Sequence, residues 1–131
     1  MPYLKFEFSK EIEKNKVTDL LEFTKNKFSE IMCTGKDHIA ISVSQLRSYS
    51  LLLGRAKKDE QICLMNFDIR SGRTQAQKRE IVSVLMDYIN KNIGIKTSNQ
   101  YLTYTEHPGE DFNLTEKCLG NWKEGDDPLN E

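Results

Sequence analysis

Long apolar runs are missing from this 131-residue chain: Leu51-Leu52-Leu53 is typical of the longest, far short of the roughly 20 residues a membrane helix needs. A bilayer-spanning helix is therefore not expected. Cysteine is scarce, with Cys33, Cys63 and Cys118 widely spaced, odd in number and without a Cys-x-x-Cys pair. That pattern argues against a disulfide framework and a structural zinc site. Charge of one sign is lacking too, since 19 Lys plus Arg face 20 Asp plus Glu for a net charge of −1. No general attraction to nucleic-acid phosphates or anionic lipid follows from such a balance. The start, Met1-Pro2-Tyr3-Leu4-Lys5-Phe6, has no basic stretch followed by an apolar core, so no secretory signal is read there and a cytoplasmic location is expected.

What is present suits one soluble domain over 1–131. Residues 3–8 alternate polar and apolar as a strand does, with Ser9 placed to cap the following helix. From about Glu11 to Cys33, Val17, Leu20, Leu21, Phe28, Ile31 and Met32 recur at helical spacing, and Gly35 stands where a left-handed residue would end the helix. Residues 39–46 are β-branched and alternating, a second strand. The stretch 47–61 is irregular and receives no firm assignment. A third strand follows over 62–69. Thr74 and Gln77 then have capping-box spacing ahead of a stripe of Ile81, Val82, Leu85, Ile89 and Ile93 that Gly94 ends. Residues 100–106 make a fourth strand before a polar tail.

The halves, about 1–58 and 59–131, repeat a β-α-β unit with an offset of about 60 residues. Right-handed crossovers predict an α+β fold: a four-stranded sheet with both helices on one face. Apolar residues on the other face would be exposed in a monomer, which predicts that another subunit covers it.

Pro2, directly before a core strand, is the most informative residue. Initiator methionine is generally removed when a small residue follows, which would leave a secondary amine on a rigid mount. An α-amino group titrates near roughly 7.7–8.0, and burial or a nearby guanidinium would lower that. Such an amine is a usable base near neutral pH. Taken alone, proline in second position merely permits methionine removal, and a retained Met1 would acylate the nitrogen and leave no basic lone pair. Arg73 stands between Gly72, where backbone can approach a ligand closely, and the first turn of a helix, so it could hold a carboxylate through two parallel hydrogen bonds. It could equally be an exposed arginine before a helix.

Taken together, Pro2-Tyr3-Leu4-Lys5-Phe6, the segment Ile69-Arg70-Ser71-Gly72-Arg73-Thr74-Gln75-Ala76-Gln77-Lys78 and the double β-α-β plan resemble the tautomerase superfamily, in which an amino-terminal proline does the chemistry. Within it the chain looks most like the malonate semialdehyde decarboxylase group. That group opens Pro-Leu-Leu-Lys-Phe, carries Arg-Ser-x-x-Gln-Lys at its second helix and has an Asp just before its second strand. The resemblance implies catalytic roles for Pro2 and for Asp37, which precedes His38 and the second strand. It implies substrate binding by Arg73, with Arg70 and Phe112 beside it, and a homotrimer without cofactor or metal. Ser71 stands where the decarboxylases have a second arginine, and Phe112 where a tryptophan is expected, the only tryptophan being Trp122. These departures bear more on decarboxylation than on proton transfer.

The expected activity is thus enol/keto proton transfer on a small 2-oxo or unsaturated carboxylic acid. The alternatives are decarboxylation or hydration in the same pocket, favoured if the proline stays protonated, and a non-catalytic binding protein that retains Met1. Asp37 also reads as an ordinary turn residue. His38 and His107 lack metal-ligand spacing, so packing or surface roles are expected of them. Cys63, inside the third strand, is expected in the core.

Overall fold

The computed structural model describes residues 2–127 and 129. Its elements run β1 (Tyr3–Phe8), α1 (Lys14–Met32), β2 (Ala40–Gln45), β3 (Cys63–Arg70), α2 (Gln75–Ile93) and β4 (Gln100–His107). The sheet order is β2-β1-β3-β4. Within each half the strands are parallel, β1 with β2 and β3 with β4. The halves meet through the antiparallel pair β1 and β3, in which Tyr3 faces Asp68 and Phe8 faces Cys63. This is the α+β double β-α-β architecture.

Strict alternation along β1 and β3 sends Leu4, Phe6, Phe8, Met65, Phe67 and Ile69 under the helices, where each is at most 2% exposed. Leu20, Phe28 and Met32 of α1 and Ile81, Leu85 and Ile89 of α2 close the layer from above, all fully buried. Each such side chain is worth roughly 1.5–3 kcal/mol of transfer free energy. Cys63 lies among them. Among the described residues, no helix is long and apolar enough to cross a membrane.

Local details show where tertiary demands overrode local ones. Thr74 and Gln77 form the full capping box, and Gly94 ends α2 with φ 87°. Ser9 does not cap α1. Its hydroxyl donates to Gln61 Oε1 (3.0 Å) and accepts from the Ile62 amide (2.8 Å), tying the end of β1 to the start of β3. Ile12 drops into the core while its amide donates to Gln45 Oε1, so α1 begins at Lys14, three residues later than the apolar spacing suggests. Cys33, not Gly35, takes the left-handed conformation at the end of α1, with φ 51°. Gly35 instead makes room for a side chain: a Cβ there would meet the Asp127 carboxylate, which would have to shift. Residues 48–50, in the irregular stretch, form a short 3₁₀ turn.

The far face of the sheet corrects one expectation. Tyr3, Lys5, Glu7, Ser42, Ser44, Asn66, Asp68, Tyr101, Thr103 and Thr105 occupy it by register, with Ala40 and Leu64 as its aliphatic members, so it is mainly polar. The same alternation that fills the core leaves polar residues on the other side, and exposed apolar surface supplies no argument for a covering subunit.

Candidate functional site

Pro2 is buried at the head of β1, where its carbonyl accepts from the Ala40 amide (3.0 Å). One step beyond the Tyr3–Asp68 pair, the antiparallel register carries Pro2 across from Ile69. The proline and the Arg70–Arg73 turn therefore share one end of the sheet. Whether Met1 remains attached concerns a residue outside those described.

Arg70 ends β3 on the face away from the helices, as extended geometry predicts, yet it is only 2% exposed because the chain after β4 folds back over it. Its Nη1 donates to Asp126 Oδ2 at 2.6 Å and to the Gly120 carbonyl at 2.9 Å. Arg73 is 7% exposed, and the Trp122 ring lies over its guanidinium at 4.7 Å. Burial, reinforced by the charge of Arg70, lowers the Arg73 pKa to about 9, so it remains cationic at neutral pH.

The stacking matters because it covers a face of the Arg73 guanidinium and leaves its edge. On both arginines Nε and Nη2 are buried and find no hydrogen-bond partner among the described residues. Those two nitrogens form the side of the fork that grips a carboxylate bidentately. A buried unsatisfied donor costs about 1–3 kcal/mol, and more on a charged group, so these edges are poised for an anion. A concavity of about 200 Å³ reaches Arg70 and Asp126, rimmed by Lys117, Cys118, Leu119, Gly120, Asn121 and Lys123.

The segment 119–127 acts as a strap. The Trp122 amide donates to the Ser71 carbonyl (3.2 Å) and the Gly35 amide to the Asp126 carbonyl (3.2 Å). Gly72, with φ 129°, admits this segment: a Cβ there would stand 2.9 Å from the Trp122 carbonyl. The close approach expected at Gly72 is thus made by the protein's own chain. The first turn of α2 is also less open to an anion than expected, since Thr74 Oγ1 already accepts from the Gln77 amide.

His38 completes the cluster. It is 2% exposed, and its Nε2 lies 3.2 Å from Thr34 Oγ1. The Thr34 hydroxyl has one hydrogen and donates it to the Asp126 carbonyl (3.2 Å), so it must accept from Nε2–H. Nδ1 is left as a buried acceptor without a partner among the described residues. Burial, and then the positive charges of the chain's amino terminus and of Arg70, hold the His38 pKa down to about 4.

The remaining sequence-selected residues take other positions near this end of the sheet. Asp37 is exposed in the turn before β2, and its side chain makes no hydrogen bond or ion pair among the described residues. Phe112 lies beside His107 and lines a different concavity of about 440 Å³ with Tyr3, Ala40, Asp68, Asp111 and Asn113.

No family model and no curated protein matches the sequence. Among solved structures, the chain is similar to Pt0534 inactivated by 2-oxo-3-pentynoate, at 14% identity and a TM-score of 0.79 over 89% of this chain and 94% of that one. It is similar to a fused 4-OT asymmetric trimer, at 15% identity and 0.77 over 88% and 94%. It is also similar to malonate semialdehyde decarboxylase, at 18% identity and 0.71 over 86% and 89%. All three are tautomerase-superfamily structures. The chain has the tautomerase fold.

On this tautomerase fold, sequence reasoning selected Pro2, Arg70 and Arg73, which the structure gathers at one end of the sheet. It missed Trp122, Asp126, Thr34 and the environment of His38. Trp122 carried a usable signal, as the single tryptophan in a polar tail. Asp126 carried none, standing 56 residues from the arginine it binds.

Proposed function

We propose that this chain is a tautomerase-superfamily enzyme that moves a proton between the enol and keto forms of a small 2-oxo or unsaturated carboxylic acid, with Pro2 as the base. The observation that carries this reading is the pair of buried, unsatisfied Nε/Nη2 edges on Arg70 and Arg73 at the sheet end that Pro2 heads. Once Met1 is removed, burial and the neighbouring guanidinium groups favour a neutral imino nitrogen. An enol acid held by its carboxylate on the arginine edges gives its hydroxyl proton to that nitrogen. The C–O bond becomes a carbonyl, and the proton passes to C3. The cationic edges stabilise the enolate as charge spreads toward the anchored end. Among the proposed chemistries, hydration and decarboxylation rank second because Asp37, expected to orient water, is exposed in its turn. The reading includes a homotrimer, the fused 4-OT neighbour being an asymmetric trimer, and a cytoplasmic location.

The test begins with intact mass, which should lack the initiator methionine. Conversion of enol to keto phenylpyruvate should then be measurable and should vanish in Pro2→Ala. An acetylenic 2-oxo acid such as 2-oxo-3-pentynoate, which inactivates Pt0534, should label the peptide beginning at Pro2. A second reading draws on the strap: Trp122 and Asp126 cover the arginines as they would in a binding protein without turnover. Retained Met1 with no conversion and no label would decide for it.

A further inference from the structure

The arginine cluster carries its own carboxylate. We propose that Asp126 is a specificity-determining residue that, by neutralising Arg70, restricts the site to acids bearing a single carboxylate. This rests on the reading of Arg70 and Arg73 as the acid-binding pair. Asp126 is 5% exposed and holds Arg70 Nη1 at 2.6 Å, while the Nε/Nη2 edges of both arginines stay unsatisfied. Asp126 holds a different nitrogen from those edges, so an acid admitted by movement of the covering segment need not displace it. Arg70 is ion-paired with Asp126, whereas Arg73 has no ion pair among the described residues, so one ligand carboxylate can serve it. His38 adds no charge, since its Nε2–H is spent on Thr34 and its pKa lies near 4. Asp127, whose field also reaches His38, adds to the negative side. A second ligand carboxylate would meet Asp126 in a poorly solvated space, where like charges a few ångströms apart repel strongly. Lys117 and Lys123 on the rim are exposed, so water and salt screen them and they offset little of that repulsion.

The experiment compares 2-oxopentanoate with 2-oxoglutarate, which differ by a methyl against a carboxylate at the far end, in calorimetric titrations of the full chain freed of Met1. The wild type should bind the monoacid at least as tightly as the diacid. Asp126→Asn keeps the shape and removes the charge, and should shift the affinity ratio toward the diacid by about tenfold or more. Asp126→Glu should keep the wild-type ratio, an outcome that a merely structural role for the carboxylate does not predict. A wild type that prefers the diacid tenfold overturns the proposal without any variant, which keeps it testable should Asp126→Asn fail to fold. So does an Asp126→Asn protein that binds both acids in the original ratio, while leaving the arginine reading intact. Binding of neither acid by the wild type overturns both.

Discussion

Acidification from pH 8 to pH 5 should cost the wild-type fold roughly 2 kcal/mol through His38 alone. In the unfolded chain this imidazole titrates at its ordinary 6.5, whereas in the folded protein burial first, then the charges of the amino terminus and of Arg70, hold it to about 4. The unfolded state therefore binds a proton that the native state refuses, and stability falls as the pH drops below 6.5. The loss grows until about pH 4, where it levels at about 3 kcal/mol for the full shift. The amino terminus, Arg70, Asp126 and Asp127 are the charged groups acting on the ring, and the two aspartates oppose the shift. The assay is urea unfolding at closely spaced pH values for the wild type and for His38→Gln, whose amide can still donate to Thr34 but does not titrate. Subtracting one curve from the other removes the surface carboxylates common to both. Parallel curves between pH 8 and 5 would refute the reasoning, for they would mean that the folded ring protonates as readily as the unfolded one.

Two further outcomes follow from backbone geometry. Gly72→Ala places a Cβ 2.9 Å from the Trp122 carbonyl at φ 129°, so it should destabilise by about 1–3 kcal/mol and shift the emission of the single tryptophan as the ring leaves Arg73. An unchanged spectrum with a melting temperature within about 2 °C of the wild type would contradict the strap geometry. Thr74→Ala removes the hydroxyl that accepts from the Gln77 amide at 3.1 Å and should lower the urea midpoint by the equivalent of about 1 kcal/mol at constant m-value. A midpoint that does not move would show that α2 is held by its packing alone.

What was legible in the sequence was local. The Thr74–Gln77 spacing, Gly94 and the alternation of Leu4, Phe6 and Phe8 each depend on neighbours within a few residues, and each is found as read. Residues with several plausible uses were not legible, because distant contacts chose among them. Ser9 has the chemistry of a cap but is claimed by Gln61 and Ile62, more than 50 residues away. The polarity of the far face could have been read from Lys5 and Glu7, and the general expectation of a covered sheet prevailed over those two side chains. In the site, the proline and the arginines came from a contiguous motif. The tail that covers them did not, since stacking of Trp122 on Arg73 and pairing of Asp126 with Arg70 require a fold-back that no short-range pattern encodes.

The strand order carries a kinetic consequence. β1 is synthesised before the other five elements, yet it lies inside the sheet with β2 on one side and β3 on the other. Its parallel neighbour arrives only after the whole of α1, and its antiparallel neighbour some sixty residues after itself. A nascent chain that stops short of residue 63 leaves one ladder edge of its most apolar strand open, with Phe6 and Phe8 beside it. Loop closure must be met before that edge is sealed, so folding waits on the second half and the early fragment is exposed to association with other chains.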